Sequence, residues 1–106
     1  MTDVRTVYVT AADQDQAAEL AAALLAKGLI ACANVLPPMR SLYLWKGEVQ
    51  DEPEVAMLLK TRADRLDELI AEATRLHPYE VPCVVAWPIY AGAESYLDWV
   101  RDVCRT

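Results

Sequence analysis

Three glycines, one histidine and three scattered cysteines are all that this 106-residue sequence holds of those residues, and each scarcity removes a class of chemistry. Without a glycine-rich turn there is no backbone cradle for phosphates, which argues against a nucleotide-binding loop. One histidine cannot make the paired imidazoles of a zinc helix, and Cys32, Cys83 and Cys104 form no C-x-x-C pair. Their odd number and wide spacing do not make a disulfide framework, so thiols are the expected state. No apolar stretch approaches bilayer length, so membrane insertion is not expected. The opening "MTDVRTVYV" shows no basic segment leading into an apolar core and a cleavage site, and a cytoplasmic location is the expectation. No internal repeat, linker or low-complexity segment is present, so residues 1–106 are expected to form a single domain around one core.

The charge balance narrows the partners. At −6 the chain repels phosphate backbones and anionic lipid, and its strands carry no aromatic-plus-basic stacking motif, so no nucleic acid is expected as a partner. Hydrophobic residues make up 55% of the sequence, above the usual share for a soluble domain, and that surplus needs somewhere to be buried.

"VRTVYVT" (Val4 to Thr10) is β-branched and aromatic and predicts a strand. Asp13, with Gln16 three residues on, predicts a capped helix whose apolar positions are Ala17, Leu20, Ala21, Leu24 and Leu25, ended by Lys27-Gly28. "LIACANVL" (Leu29 to Leu36) predicts a second strand, broken by Pro37-Pro38 and resumed in "SLYLW" (Ser41 to Trp45). A turn at "KGE" returns the chain through an acidic tip, Gly47 to Glu54, into "EVAMLLKT" (Glu54 to Thr61), which makes an overlong, interrupted hairpin. A second helix, with Asp64 as its expected cap, carries Leu66, Leu69, Ile70, Ala73 and Leu76 at helical spacing and stops before Pro78. "CVVAW" (Cys83 to Trp87) predicts the last strand, and Tyr96, Trp99, Val100, Val103 and Cys104 mark one face of a short terminal helix.

The order βαββαβ plus a C-terminal helix predicts an α+β sandwich of ferredoxin-like topology, with both longer helices on one face of an antiparallel sheet. "MLL" and "VVAW" nevertheless place apolar side chains on both alternations of their strands, so the second face is too greasy to be left in water. The terminal helix can cover part of it. The rest, with Tyr43 and Trp45 on the long hairpin, predicts an obligate oligomer.

"ACANVLP" (Ala31 to Pro37), "SLYLWKGEV" (Ser41 to Val49), "EVAMLLKT", "HPYEVP" (His77 to Pro82) and "YLDWV" (Tyr96 to Val100), in this order, resemble the CutA divalent-cation-tolerance family across nearly the whole chain. The resemblance implies a ferredoxin-like fold and a homotrimer whose long hairpins join neighbouring sheets. It also implies a role in divalent-cation tolerance, with Cu(II) or another divalent cation as the bound species and no organic cofactor. Copper ligands proposed in bacterial members are a first-strand cysteine, a second-strand cysteine and the histidine of the HPY segment. Cys32 matches the second and His77 the third, whereas Val9 stands at the first.

Read as side chains, these residues have a structural role beside the metal one. His77 offers a borderline donor for Cu or Zn, or closes the end of a helix. Cys32 would bind a soft metal as thiolate, or pack as a small hydrophobe among alanines. Glu80, the nearest carboxylate to His77, would add a hard ligand or orient the ring, or stay a solvated charge. Lys60 either pairs with a carboxylate such as Glu80 or binds an anionic ligand. The metal candidates are therefore His77, Cys32 and Glu80, in clefts between subunits. The alternative is a small-molecule sensor or interaction scaffold, by fold-level analogy with trimeric PII proteins. No serine or cysteine elbow, oxyanion loop or basic phosphate clamp is present, so no enzyme is expected.

Overall fold

A computed structural model describes residues 1–104. The elements run β1 (Val4–Ala11), α1 (Gln14–Ala26), β2 (Cys32–Val35), β3 (Met39–Trp45), β4 (Glu48–Arg62), α2 (Leu66–Leu76), β5 (Val84–Pro88) and α3 (Glu94–Val103). All strand pairs are antiparallel in the order β2-β4-β1-β5, and β3 pairs with the distal half of β4. This is the expected ferredoxin-like sandwich, with its second strand split into β2 and β3 at Pro37-Pro38.

Local chemistry accounts for most boundaries. The Asp13 carboxylate accepts from the Gln16 amide at 2.8 Å while Gln16 Oε1 accepts from the Ala12 amide at 2.9 Å, a reciprocal cap that opens α1. Gly28, at φ 70°, ends that helix in the left-handed region. The next residues do not extend as a strand, contrary to the expected start at Leu29. Leu29 and Ile30 plug the core, and β2 begins only at Cys32.

β4 is longer than expected: the acidic stretch from Glu48 is paired strand, not a loose tip. Only Lys46 (φ 52°) and Gly47 (φ 80°) turn the hairpin, two consecutive positive-φ residues of the kind that match the twist of the flanking strands. Asp64 does not cap α2 as expected. A 3₁₀ turn (Ala63–Arg65) precedes the helix, and the Asp64 carboxylate is held by Arg62 at 2.6 and 3.0 Å.

Successive residues of β1 and β4 divide the molecule. Val7, Val9, Ala11, Val55, Met57 and Leu59 face α1 and α2 and form the main core. The opposite face meets α3 at one corner only, where Leu97, Val100 and Cys104 pack on Val4 and Ala31. Tyr96, Trp99 and Val103, expected on the buried stripe of that helix, are exposed, and Leu97 takes the buried position instead. Beyond α3 the second face lies open, with Val85 50% and Trp87 46% exposed. The hairpin projects past the sheet and gives extents of 44 × 25 × 22 Å and a radius of gyration of 14.3 Å. A compact chain of this length would have a radius of about 13 Å.

Candidate functional site

His77 is the C-cap of α2, and its amide donates to the Ala73 carbonyl at 3.0 Å. The side chain turns inward, 6% exposed. Nε2 lies 2.8 Å from the carbonyl oxygen of Thr10, and Nδ1 accepts from the Tyr79 amide at 3.1 Å. A carbonyl can only accept and an amide can only donate, so this geometry selects the neutral Nε2–H tautomer. Thr10 lies one residue past Val9–Val84, the last pair of the β1–β5 ladder, so the imidazole takes over a carbonyl beyond the reach of that ladder. The ring also forms part of the wall of a groove of about 370 Å³ between α1 and the end of α2, with Gln16, Glu19, Leu20 and Leu76.

Tyr79 leaves His77 for the hairpin. The rings of His77 and Tyr79 meet edge to face at 4.6 Å, and the Tyr79 hydroxyl donates to Glu54 at 3.2 Å. Burial, and secondarily the Glu54 carboxylate, push the Tyr79 phenol up to about 12. A parallel pair lies further out, where the Tyr43 hydroxyl donates to Glu52 at 3.3 Å. Cys83 sits close by, its thiol pushed up by burial and then by Glu54, the opposite of an activated thiolate. Glu80 is exposed in the loop between α2 and β5.

Cys32 is elsewhere. It opens β2 directly opposite Lys60 on β4, with Sγ 3.4 Å from the Tyr96 hydroxyl of α3. That contact, and then burial, push the Tyr96 phenol up to about 12. Thr10, the partner of His77, is opposite Ala56, so Cys32 and His77 belong to rows four residues apart along β4. At the strand rise this is roughly 13 Å, too far for one ion to bind both side chains of a single chain. Among the described residues no three His, Cys, Asp or Glu side chains converge as a ligand set.

Lys60 makes no ion pair with Glu80 or with any other carboxylate among the described residues, although Lys27, Arg40, Arg62, Arg65, Arg75 and Arg101 all do. The links of Tyr79 to Glu54 and of Tyr96 to Cys32 were not foreseen from sequence. They join residues 25 and 64 positions apart, and no local spacing encodes either.

Residues 5–103 match the family model described as CutA1 divalent ion tolerance protein. The human "Protein CutA" is 39% identical over 103 residues, which is 97% of this chain and 58% of the human one, so the chain spans somewhat over half the length of that relative. The "Divalent-cation tolerance protein CutA" of Thermus thermophilus is 40% identical over 96 residues, 91% of this chain and 93% of its own. Among solved structures, the periplasmic divalent cation tolerance protein CutA from Archaeoglobus fulgidus superposes with a TM-score of 0.92 at 34% identity, covering 96% of this chain and 99% of that one.

Proposed function

The chain belongs to the CutA1 divalent ion tolerance family, and we propose that it serves divalent-cation tolerance as a cytoplasmic homotrimer without catalytic activity, meeting the cation in clefts between its subunits. The observation that carries the self-association is the open sheet face, where Val85 and Trp87 stand exposed beside a hairpin arm that bares Leu42, Leu44 and Val49. Burying each 100 Å² of such surface against a copy returns roughly 2–3 kcal/mol. The arm is long enough to reach a neighbour. A count of three rests on the family resemblance.

Among the described residues no full coordination sphere forms on one chain, because Cys32 and His77 lie rows apart and no three donors converge. The ligands therefore come from different copies. Cys32 supplies a soft donor and Glu80 a hard one, and His77 joins only by releasing the Thr10 carbonyl or the Tyr79 amide. Two measurements test this reading. Sedimentation equilibrium should give the mass of three chains at micromolar concentration, and a folded monomer there would sink the inter-subunit site. Cu(II) titration should show a stoichiometry that falls in Cys32→Ser and in Glu80→Gln, and unchanged binding in both would remove metal contact from these residues. None of the described helices is long and apolar enough to cross a membrane, and cell fractionation tests the cytoplasmic location.

A further inference from the structure

We propose that the groove between α1 and the end of α2 binds a small organic ammonium ion, one with an apolar body and an oxygen acceptor a few bonds from its nitrogen. Local chemistry makes the groove. Pro78 disfavours helical geometry at the residue before it, so α2 stops at Leu76 and His77 turns extended, at φ −72° and ψ 135°. The stretch of α1 from Gln16 to Ala23 borders a gap at that end, and Ala23 is too small to fill it. The space left, about 370 Å³, falls within the range of about 300–1,000 Å³ that takes small organic ligands.

The walls select the charge of an occupant. Leu20, Ala23 and Leu76 give apolar surface, and the polar groups are Gln16, Glu19 and His77. Among the described residues no lysine or arginine lines the groove. Lys27 and Arg75, the basic residues at the ends of the two helices, are both turned to Glu72, Lys27 at 3.5 Å. Glu19 forms no ion pair among the described residues. The imidazole adds no positive charge, because Nε2 donates to the Thr10 carbonyl and Nδ1 accepts from the Tyr79 amide. One open carboxylate thus stands beside apolar surface in a chain of net charge −6, and its complement is a monocation with an apolar body.

Gln16 adds direction. Its Oε1 is held by the Ala12 amide at 2.9 Å, which leaves the NH2 end as a donor. Gln16 and Glu19 stand one helical turn apart, about 5–6 Å between their Cβ atoms. An ammonium on Glu19 therefore brings a hydroxyl or carbonyl oxygen on the neighbouring carbons within reach of Gln16. A carboxylate in that place would meet Glu19, so a free amino acid fits poorly. The site is made by one chain on the helix side of the sheet, opposite the face left open for other copies. His77 keeps both of its hydrogen bonds there, so this reading needs neither a divalent cation nor a trimer.

The test titrates phenethylamine and phenylalaninol into the full chain at neutral pH in metal-free buffer, following amide chemical shifts, with phenethyl alcohol and hydrocinnamate as uncharged and anionic comparators. Saturable shifts centred on Glu19, Ala23 and His77 are expected for both amines, with phenylalaninol severalfold tighter because its hydroxyl reaches Gln16. Glu19→Gln should weaken both amines about threefold or more, and Ala23→Leu, which fills the groove with another good helix former, should abolish the shifts. Gln16→Glu keeps an acceptor for the Ala12 amide and removes the donor, so it should erase the advantage of phenylalaninol. Absence of saturation by either amine, equal binding of phenethyl alcohol, or shifts that survive Ala23→Leu overturns the proposal. Should Ala23→Leu fail to fold, the isosteric Glu19→Gln at its exposed position decides, and undiminished affinity there overturns it as well. Copper titration of the Cys32 and Glu80 variants and the sedimented mass do not read this groove, so the two readings fail separately.

Discussion

Both ring nitrogens of His77 are occupied inside the fold, one on Thr10 and one on Tyr79, and that commitment bears on how the residue can act. Each hydrogen bond contributes about 1 kcal/mol net, and removing the ring also opens a cavity. His77→Ala should therefore lower unfolding free energy by about 2–3 kcal/mol, read from urea denaturation, whether or not any metal is present. Tyr79 gives a pH signature. Its folded pKa is raised to about 12 from 10.0, so the folded chain holds this proton more tightly than the unfolded chain does. That contribution is complete below the unfolded pKa and is lost as pH rises from 10 towards 12. Tyr79→Phe should flatten the alkaline fall in the urea midpoint over that range. An unchanged slope would assign the fall to other groups, Tyr96 first among them.

At the scale of elements, the two long helices start in different ways, and the difference predicts different costs. Asp13 caps α1 through a charged hydrogen bond to the Gln16 amide, so Asp13→Ala should cost about 1 kcal/mol. Asp64 bonds no α2 amide; it pairs with Arg62 at an exposed surface, and Asp64→Ala should cost no more than about 0.5 kcal/mol. Equal losses in thermal or urea unfolding would contradict this account. The capping box of α1 was readable because the whole device lies within five residues. The start of α2 was not, because Asp64 has a stronger competitor two residues back in Arg62, and a pattern that marks a capable cap does not report what else takes its oxygen. In the same way the period of α3 marked Tyr96 and Trp99 as buried. The helix buries Leu97 and Val100 against the sheet, whereas Tyr96 reaches β2 through its hydroxyl and Trp99 stays exposed.

For the whole molecule the question is what shields the arm and the open face. Leu44, 72% exposed, shares one face of β3 with Leu42, so charging both should cost a lone chain almost nothing. In an assembly seated on that arm, the paired change Leu42→Glu with Leu44→Glu would bury two unpaired carboxylates. We expect the double variant to keep its far-ultraviolet circular dichroism and to sediment as a smaller species than the parent. Retention of the parent mass would move the interface off the hairpin.

Amphipathic periods, the Asp13 cap, the Pro37-Pro38 break and the two-sided greasiness of the central strands are local quantities, and residue order alone was enough to determine the βαββαβ plan and the surplus of apolar surface. The same order marked His77, Cys32 and Lys60 as chemically pointed residues. Who touches them was decided only in three dimensions: Thr10 lies 67 positions from His77, and Tyr96 lies 64 from Cys32. The physical reason is that a side chain's periodicity is set by its own backbone geometry. Its partners are set by which strands pair and in what register, and that choice minimises the free energy of the whole chain at once.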